Sequence, residues 1–464
     1  MKLSAVHVAS RGYDAIVHPA ATPLQGRVVA QPSKNYTTRY LLAAALADGE
    51  SLVQNCATSD DAVALQDCLR ALGADLQVSP EPGLDGAARV RVVGVAGKPS
   101  LQKPGAALNP GNAGAVLRFL LAIGALLPDV EFVTDHHDSL GKRPNGDLLH
   151  ALAQLGCETE SGADGRLPIH LRGGNLQGVP VEISGGRSSQ FLSGLLFLAP
   201  LVRPGFVIRV TNGLVSKAPV RQTLEVLAEF GVKTEASGNL LEFHTTPCSY
   251  RSGDYSVNGD WPGSAALLSA AAVTGGQVEI AELYRDEQGE RAAGDVLGQM
   301  GAEFRFNAGG NGVAITGTGS LRGVDFDGDL ATDAVLALMG AACFAEGRSR
   351  FYNVSNLRIK ECDRISEPLA ELRKLGVRCW EGNELGDSDP DAIIIDGNPD
   401  GYEGGVTVDG RGDHRVIMLL SVVALGCRKP VRISNAHFVA KSYPGYFEHL
   451  TQLGARVERI ERGS

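Results

Sequence analysis

Eight cations stand where a polar, small-residue stretch runs into an apolar one: Lys34 and Arg39 in SKNYTTRY, Arg118 in NPGNAGAVLR, Arg143 in GKRPNG, Lys360 and Arg364 in IKECDR, Arg415 in GDHR and Lys441 in VAKSYP. Arginine suits bidentate capture of a carboxylate or phosphate, and lysine supplies a point charge or a proton. A single Lys or Arg is more often part of a solvated face; a set placed at loop-to-helix junctions reads as an anion site. Two carboxylates stand among these cations, Asp333 in TDAVL and Glu361 in KECDR. As helix-start residues they read equally as caps or ion-pair partners. Carboxylates beside several cations are also what proton transfer during addition and elimination requires.

These side chains need a frame, and the sequence repeats one. Gly73, Gly156, Gly231, Gly301, Gly376 and Gly454 each follow a bulky apolar residue at the end of an amphipathic segment, in LGADLQV, LGCETE, FGVKTE, MGAEFRF, LGVRCW and LGARVER. Each reads as a helix stopped by a left-handed glycine and followed by a strand. Between them recur helices apolar on every side: LLAAALADGESLVQN, LLAIGALLPDVEFVT, LLFLAPLVRPGFVIRV, LLSAAAVTGGQVEIAEL, LMGAACFAEGRSRFYN and LLSVVALGCRKPVRISN. Helices of that kind belong inside a domain. Two groups of three such units predict two similar α/β domains of the α+β type, with sheets around buried parallel helices. Polar, glycine-rich stretches precede every buried helix, and free N–H groups with a partial positive charge at helix N-termini bind anions without net basic composition. The expected active site is an electropositive cleft between the domains, and the expected ligands are small anions.

Bulk properties narrow the partners. A chain of 464 residues with 44% apolar and 21% charged residues has the composition of ordinary globular domains. Net charge −10 argues against a nucleic-acid partner. The eight cysteines are scattered without a CxxC pair, which fits reduced thiols in a cytosol. The opening MKLSAVHVASRGYD lacks a signal-peptide core, and no apolar run reaches the length of a membrane span. A cytoplasmic protein without a membrane partner is expected. His136 and His137 lie between Asp135 and Asp138, but they read as a solvated loop, and no metal is expected.

The order and spacing of GNAG followed by Arg118, KRP with Arg143, SSQFL, LVSK, NLRIKECDRI, GDHR and AKSYPGYF resemble the enolpyruvylshikimate-phosphate synthase (3-phosphoshikimate 1-carboxyvinyltransferase) family over nearly the whole chain. The resemblance implies two domains, each of three βαβαββ units, one built from about residues 1–31 and 259–464 and the other from about 32–258. It implies transfer of the enolpyruvyl group of phosphoenolpyruvate to a hydroxyl of a phosphorylated acceptor, with no cofactor, by a protein expected to be a monomer. The related branch with a UDP-sugar acceptor usually carries a reactive Cys before the RP pair. Here that loop is DHHDSLGKRP, nearer the shikimate-type branch.

Carried over by motif, Arg143, Gln190, Arg364, Arg415 and Lys441, with Lys34 and the Gly114 backbone, would hold phosphoenolpyruvate. Ser188, Ser189, Ser216, Asn356 and Lys360, with Lys34, Asn35, Arg39, Gln190 and Asp333, would line the acceptor site. Asp333 would accept the proton of the attacking hydroxyl, Glu361 would protonate the methylene carbon, and Lys34 would share in catalysis. Three positions depart from the family pattern. Asn35 stands where a Ser follows the lysine, Pro219 where a Tyr lines the acceptor ring, and Ala115 where a Thr follows GNAG. Alternatives therefore stand beside shikimate 3-phosphate as acceptor: a nucleotide such as UMP in a nucleoside-antibiotic pathway, a non-catalytic anion-binding protein, and an RNA-end-processing enzyme, the last disfavoured by acidic charge. Lowered sensitivity to glyphosate-like donor mimics is a further expectation from Ala115 and the altered lysine loop at Asn35.

Overall fold

A computed structural model describes residues 12–462 apart from positions 83 and 85, so the reading of the first eleven residues as lacking a signal peptide lies outside the described residues. The chain divides into two compact units: the first takes residues up to Ala30, Trp261–Tyr284 and Glu290 onward, and the second takes Gln31–Asp260 and Arg285–Gly289. Among the described residues no helix is long and apolar enough to cross a membrane.

Each unit holds three buried helices. In the second unit these are α1 (Lys34–Leu46), α2 (Gly114–Gly124) and α3 (Ser189–Leu198). In the first they are α4 (Trp261–Thr274), α5 (Val335–Ala342) and α6 (His414–Leu425). Leu117, Leu120 and Leu121 of α2 are 0% exposed, each contributing about 1.5–3 kcal/mol by leaving water. Gly194 lets α3 lie against α2, since a Cβ there would stand 2.7 Å from the Arg118 carbonyl oxygen.

Each buried helix is flanked by a sheet and followed by an amphipathic helix. The latter are Asp60–Ala71, Gly146–Gln154 and Lys217–Glu229 in the second unit, and Ala292–Gln299, Ser366–Lys374 and Tyr446–Gln452 in the first. All six repeat glycines sit just beyond them with positive φ, from 80° at Gly231 to 113° at Gly301. That is the conformation a left-handed helix stop demands.

The sheets share one plan. A leading strand runs parallel to the strand that follows the buried helix, and the last strand of the repeat lies antiparallel between that strand and the third. Val181–Gly185, Val207–Leu214, Glu242–Thr245 and Thr234–Ala236 show it within one stretch of chain. Asp325–Asp327, Arg348–Tyr352, Ile393–Asp396 and Arg378–Glu381 repeat it. The sheet of Val130–Phe132, Arg166–Arg172 and Glu158–Gly162 has three strands, with Leu108 bridged parallel to Phe132 in the leading place, and the other three repeats borrow from a distance. Gln25–Val29 leads the sheet of Gln277–Ala281, Asp254–Ser256 leads that of Glu50–Ala57, and Tyr13–Val17 is the last strand beside Val431–Ser434 and Val457–Glu461. The second unit's ends meet each other, with Pro32 bridged to Gly259 and the Ser33 N–H donating to the Asn258 carbonyl at 2.8 Å.

Candidate active site

In the first unit the starts of α5 and α6 meet at Arg364, which is 2% exposed. Asp413 caps α6 by accepting the Arg415 N–H at 2.8 Å, and its carboxylate takes Arg364 Nε at 2.7 Å and Nη2 at 3.2 Å. Arg364 Nη2 also donates to Glu361 Oε2 at 2.7 Å, and Nη1 to Asp333 Oδ1 at 3.1 Å. Burial alone pulls the Arg364 pKa down, and the charges of Asp413, Glu361 and Asp333 outweigh it, holding the guanidinium well above its usual value. Lys441 Nζ donates to Glu361 Oε1 at 2.8 Å, and Lys360 Nζ stands 3.7 Å from Asp333. Glu361 thus lies between two buried cations, and Asp333 between Arg364 and Lys360. Asn356 joins the edge of this cluster, its amide donating to Thr332 Oγ1 at 3.3 Å. Arg415 is 4% exposed, with Nη1 3.8 Å from Met418 Sδ.

In the second unit a different chemistry surrounds the cations. Arg118, inside α2, donates to Gln190 Oε1 at 2.6 Å, Asn145 Oδ1 at 3.4 Å and the Pro144 carbonyl at 3.5 Å, and stacks over Phe191 at 5.0 Å. Gln190 lies in the first turn of α3, which Ser188 caps by accepting the Gln190 N–H at 3.3 Å, so Ser188, Ser189 and Gln190 form one helix start. Arg143 packs against the N-terminus of α2, where a Cβ on Gly114 would stand 2.7 Å from its Nη1. Glycine here lets a guanidinium touch helix backbone. Lys34 opens α1 behind the Ser33 cap and pairs with Asp61 at 3.0 Å. Ser216 opens the helix Lys217–Glu229 from a left-handed φ of 51°, an uncommon conformation for a residue with a Cβ.

Arg39 faces inward. At 2% exposure it donates from Nε to Thr223 Oγ1 at 2.9 Å, from Nη1 to the Asn35 carbonyl at 2.8 Å and from Nη2 to the Pro219 carbonyl at 2.9 Å. It therefore holds the main chain at Asn35 and Pro219, two of the three positions that depart from the family pattern.

The structure thus brings Asp333, Asn356, Lys360, Glu361, Arg364, Arg415 and Lys441 together in one unit, and Gly114, Arg118, Arg143 and Gln190 together in the other. Sequence reasoning missed Asp413, Asp61, Asn145 and Glu290. Asp413 was visible as an acid inside GDHR, and Asp61 in SDDAV just after a cap-like Ser. Glu290 had no motif signal. It lies in the 3-10 turn Gly289–Arg291, and its Oε1 accepts the Asp333 backbone N–H at 3.3 Å.

Six repeats in two units, with cations and carboxylates at the buried-helix starts, are the architecture of an enolpyruvyl transferase. The family model for EPSP synthase (3-phosphoshikimate 1-carboxyvinyltransferase) matches residues 19–450. A 3-phosphoshikimate 1-carboxyvinyltransferase of Deinococcus radiodurans is 48% identical over 97% of this chain and 98% of its own, and one of Burkholderia pseudomallei is 37% identical over 94% of each. Among solved structures, an EPSP synthase of Acinetobacter baumannii superposes with a TM-score of 0.78 at 25% identity, covering 97% of this chain and 100% of that one. The enolpyruvyl transferase NikO of Streptomyces tendae is similar in fold, with a TM-score of 0.76 at 19% identity over the same shares. The chain belongs to the EPSP synthase family.

Proposed function

We infer that this protein transfers the enolpyruvyl group of phosphoenolpyruvate to shikimate 3-phosphate and releases inorganic phosphate. The observation that supports it most directly is whole-chain similarity to named 3-phosphoshikimate 1-carboxyvinyltransferases, joined to the ion-paired Asp333, Glu361, Arg364 and Lys441. The departures at Asn35 and Pro219 fit the same acceptor, because Arg39 bonds their carbonyl oxygens rather than their side chains.

In the proposed chemistry an acceptor hydroxyl attacks C2 of phosphoenolpyruvate as Asp333 takes its proton, while Glu361 delivers a proton to the methylene carbon. Lys441, bonded to Glu361 Oε1, is the neighbouring source of that proton. The tetrahedral adduct then loses phosphate as the C2–O bond breaks, and a methyl proton returns to Glu361 to restore the vinyl group. Fixed cations stabilise the charge that develops at the carboxylate and the leaving phosphate without reorganising. To the donor we assign Arg364, Arg415, Lys441, Lys34, Arg143, Gln190 and the Gly114 backbone. To the acceptor we assign Lys34, Asn35, Ser188, Ser189, Gln190, Ser216, Asp333, Asn356 and Lys360, with the inward-facing Arg39 holding the main chain at Asn35 and Pro219 rather than reaching the acceptor itself.

Phosphate release from phosphoenolpyruvate, measured with shikimate 3-phosphate, UMP or UDP-N-acetylglucosamine added in turn, tests the assignment. Release with shikimate 3-phosphate alone is expected; release with UMP alone, or with none, refutes it.

A further inference from the structure

Against Asp333 lies a buried carboxyl to which the proposed chemistry gives no part. Glu290 is 7% exposed, and its Oε1 receives the N–H of Asp333, the residue assigned to take the hydroxyl proton. Asp333 is only partly buried and has cations on it, Arg364 at 3.1 Å and Lys360 at 3.7 Å. The charged groups facing Glu290 are Asp333, from the turn Thr332–Ala334, and Arg415, from α6. Behind them stand Arg364, Lys360 and Asp413.

We infer that Glu290 is a positioning residue for Asp333 and the member of this carboxyl pair that keeps the proton, so that Asp333 stays ionised and ready to accept one. The inference rests on the reading of Asp333 as proton acceptor. Two adjacent carboxyls resist ionising together, and the proton stays on the one that is more desolvated and less supported by cations. Glu290 is the deeper of the two, while Arg364 and Lys360 favour the charged form of Asp333. Burial first, and the Asp333 charge second, push the Glu290 carboxyl up to about 7, with Arg415 opposing. A neutral Glu290 still accepts the Asp333 N–H through its carbonyl oxygen and leaves the Arg415 charge to an incoming anion. Ionised Glu290 draws on Arg415 and adds negative charge where phosphoenolpyruvate must bind.

Steady-state kinetics of the full chain from about pH 6 to about pH 8.5 test this with Glu290→Gln, Glu290→Ala and Asp333→Asn. The amide of Glu290→Gln cannot ionise, so its kcat/KM for phosphoenolpyruvate relative to the natural protein should rise about fivefold across that range. Glu290→Ala, which removes the acceptor of the Asp333 N–H, should lower kcat about tenfold at both ends. A ratio for Glu290→Gln that is flat with pH overturns the inference, and this arm decides even where Glu290→Ala fails to fold. If Asp333→Asn turns over normally, the proton-acceptor reading itself falls. If it is inactive while the Glu290→Gln ratio stays flat, only the role of Glu290 is lost.

Discussion

The two units present the same number of buried-helix starts, yet they treat their cations differently. In the first unit Arg364 is bonded to three carboxylates, and Lys441 to one of them, Glu361. In the second, Arg118 and Arg39 are held by amide, hydroxyl and carbonyl oxygens, with Lys34 on Asp61 the counterexample. A carboxylate beside a guanidinium offsets its charge and is tuned by it in turn, whereas amide, hydroxyl and carbonyl oxygens leave that charge in place. We propose that the duplicated architecture divides the labour: the second unit mainly grips anions, and the first, besides its donor cations, moves protons.

The largest effect should come from the proton-moving side. Glu361→Gln keeps the shape but removes the charge between Arg364 and Lys441, and should lower kcat by about a thousandfold with a native circular dichroism spectrum. Retained turnover would show that the first unit, too, mainly binds. On the gripping side, Gly114→Ala drives a methyl group toward Arg143 Nη1 and should raise KM for phosphoenolpyruvate about tenfold, leaving KM for shikimate 3-phosphate within about twofold. A loss confined to kcat would blur the division. The smallest change is expected from Pro219→Tyr. Arg39 bonds the backbone at this position, so the acceptor KM should shift by no more than about threefold; a tenfold shift would mean the side chain, not the clamped main chain, shapes that pocket.

The repeats were legible because each rests on a local signal. A glycine beyond an amphipathic helix announces its left-handed stop, and Gly73, Gly156, Gly231, Gly301, Gly376 and Gly454 all carry positive φ. The strand pairings that close three of the sheets were not legible, since Gln25–Val29 and Gln277–Ala281 meet across most of the chain and nothing in five residues names a distant partner. The candidate site divided along the same line. The cations and acids of IKECDR sit close in sequence and were readable together. Arg39 gave no hint that it would turn inward, because burial depends on Thr223 and Pro219 arriving from another helix. Glu290 reaches Asp333 only through tertiary packing.

The borrowed strands also set an order of events for a chain emerging from the ribosome. Tyr13–Val17 and Gln25–Val29 are made first, yet their partners Val457–Glu461 and Gln277–Ala281 are made last or late. Closing such long loops is entropically slow and leaves strand edges waiting. The second unit relieves part of that wait. Residues 31–260 can condense while synthesis continues, and the Pro32–Gly259 bridge brings Ala30 and Trp261 to a common point. Pairing of Gln25–Val29 then becomes a short-range event, and the sheet that holds Tyr13–Val17 is the final one to close.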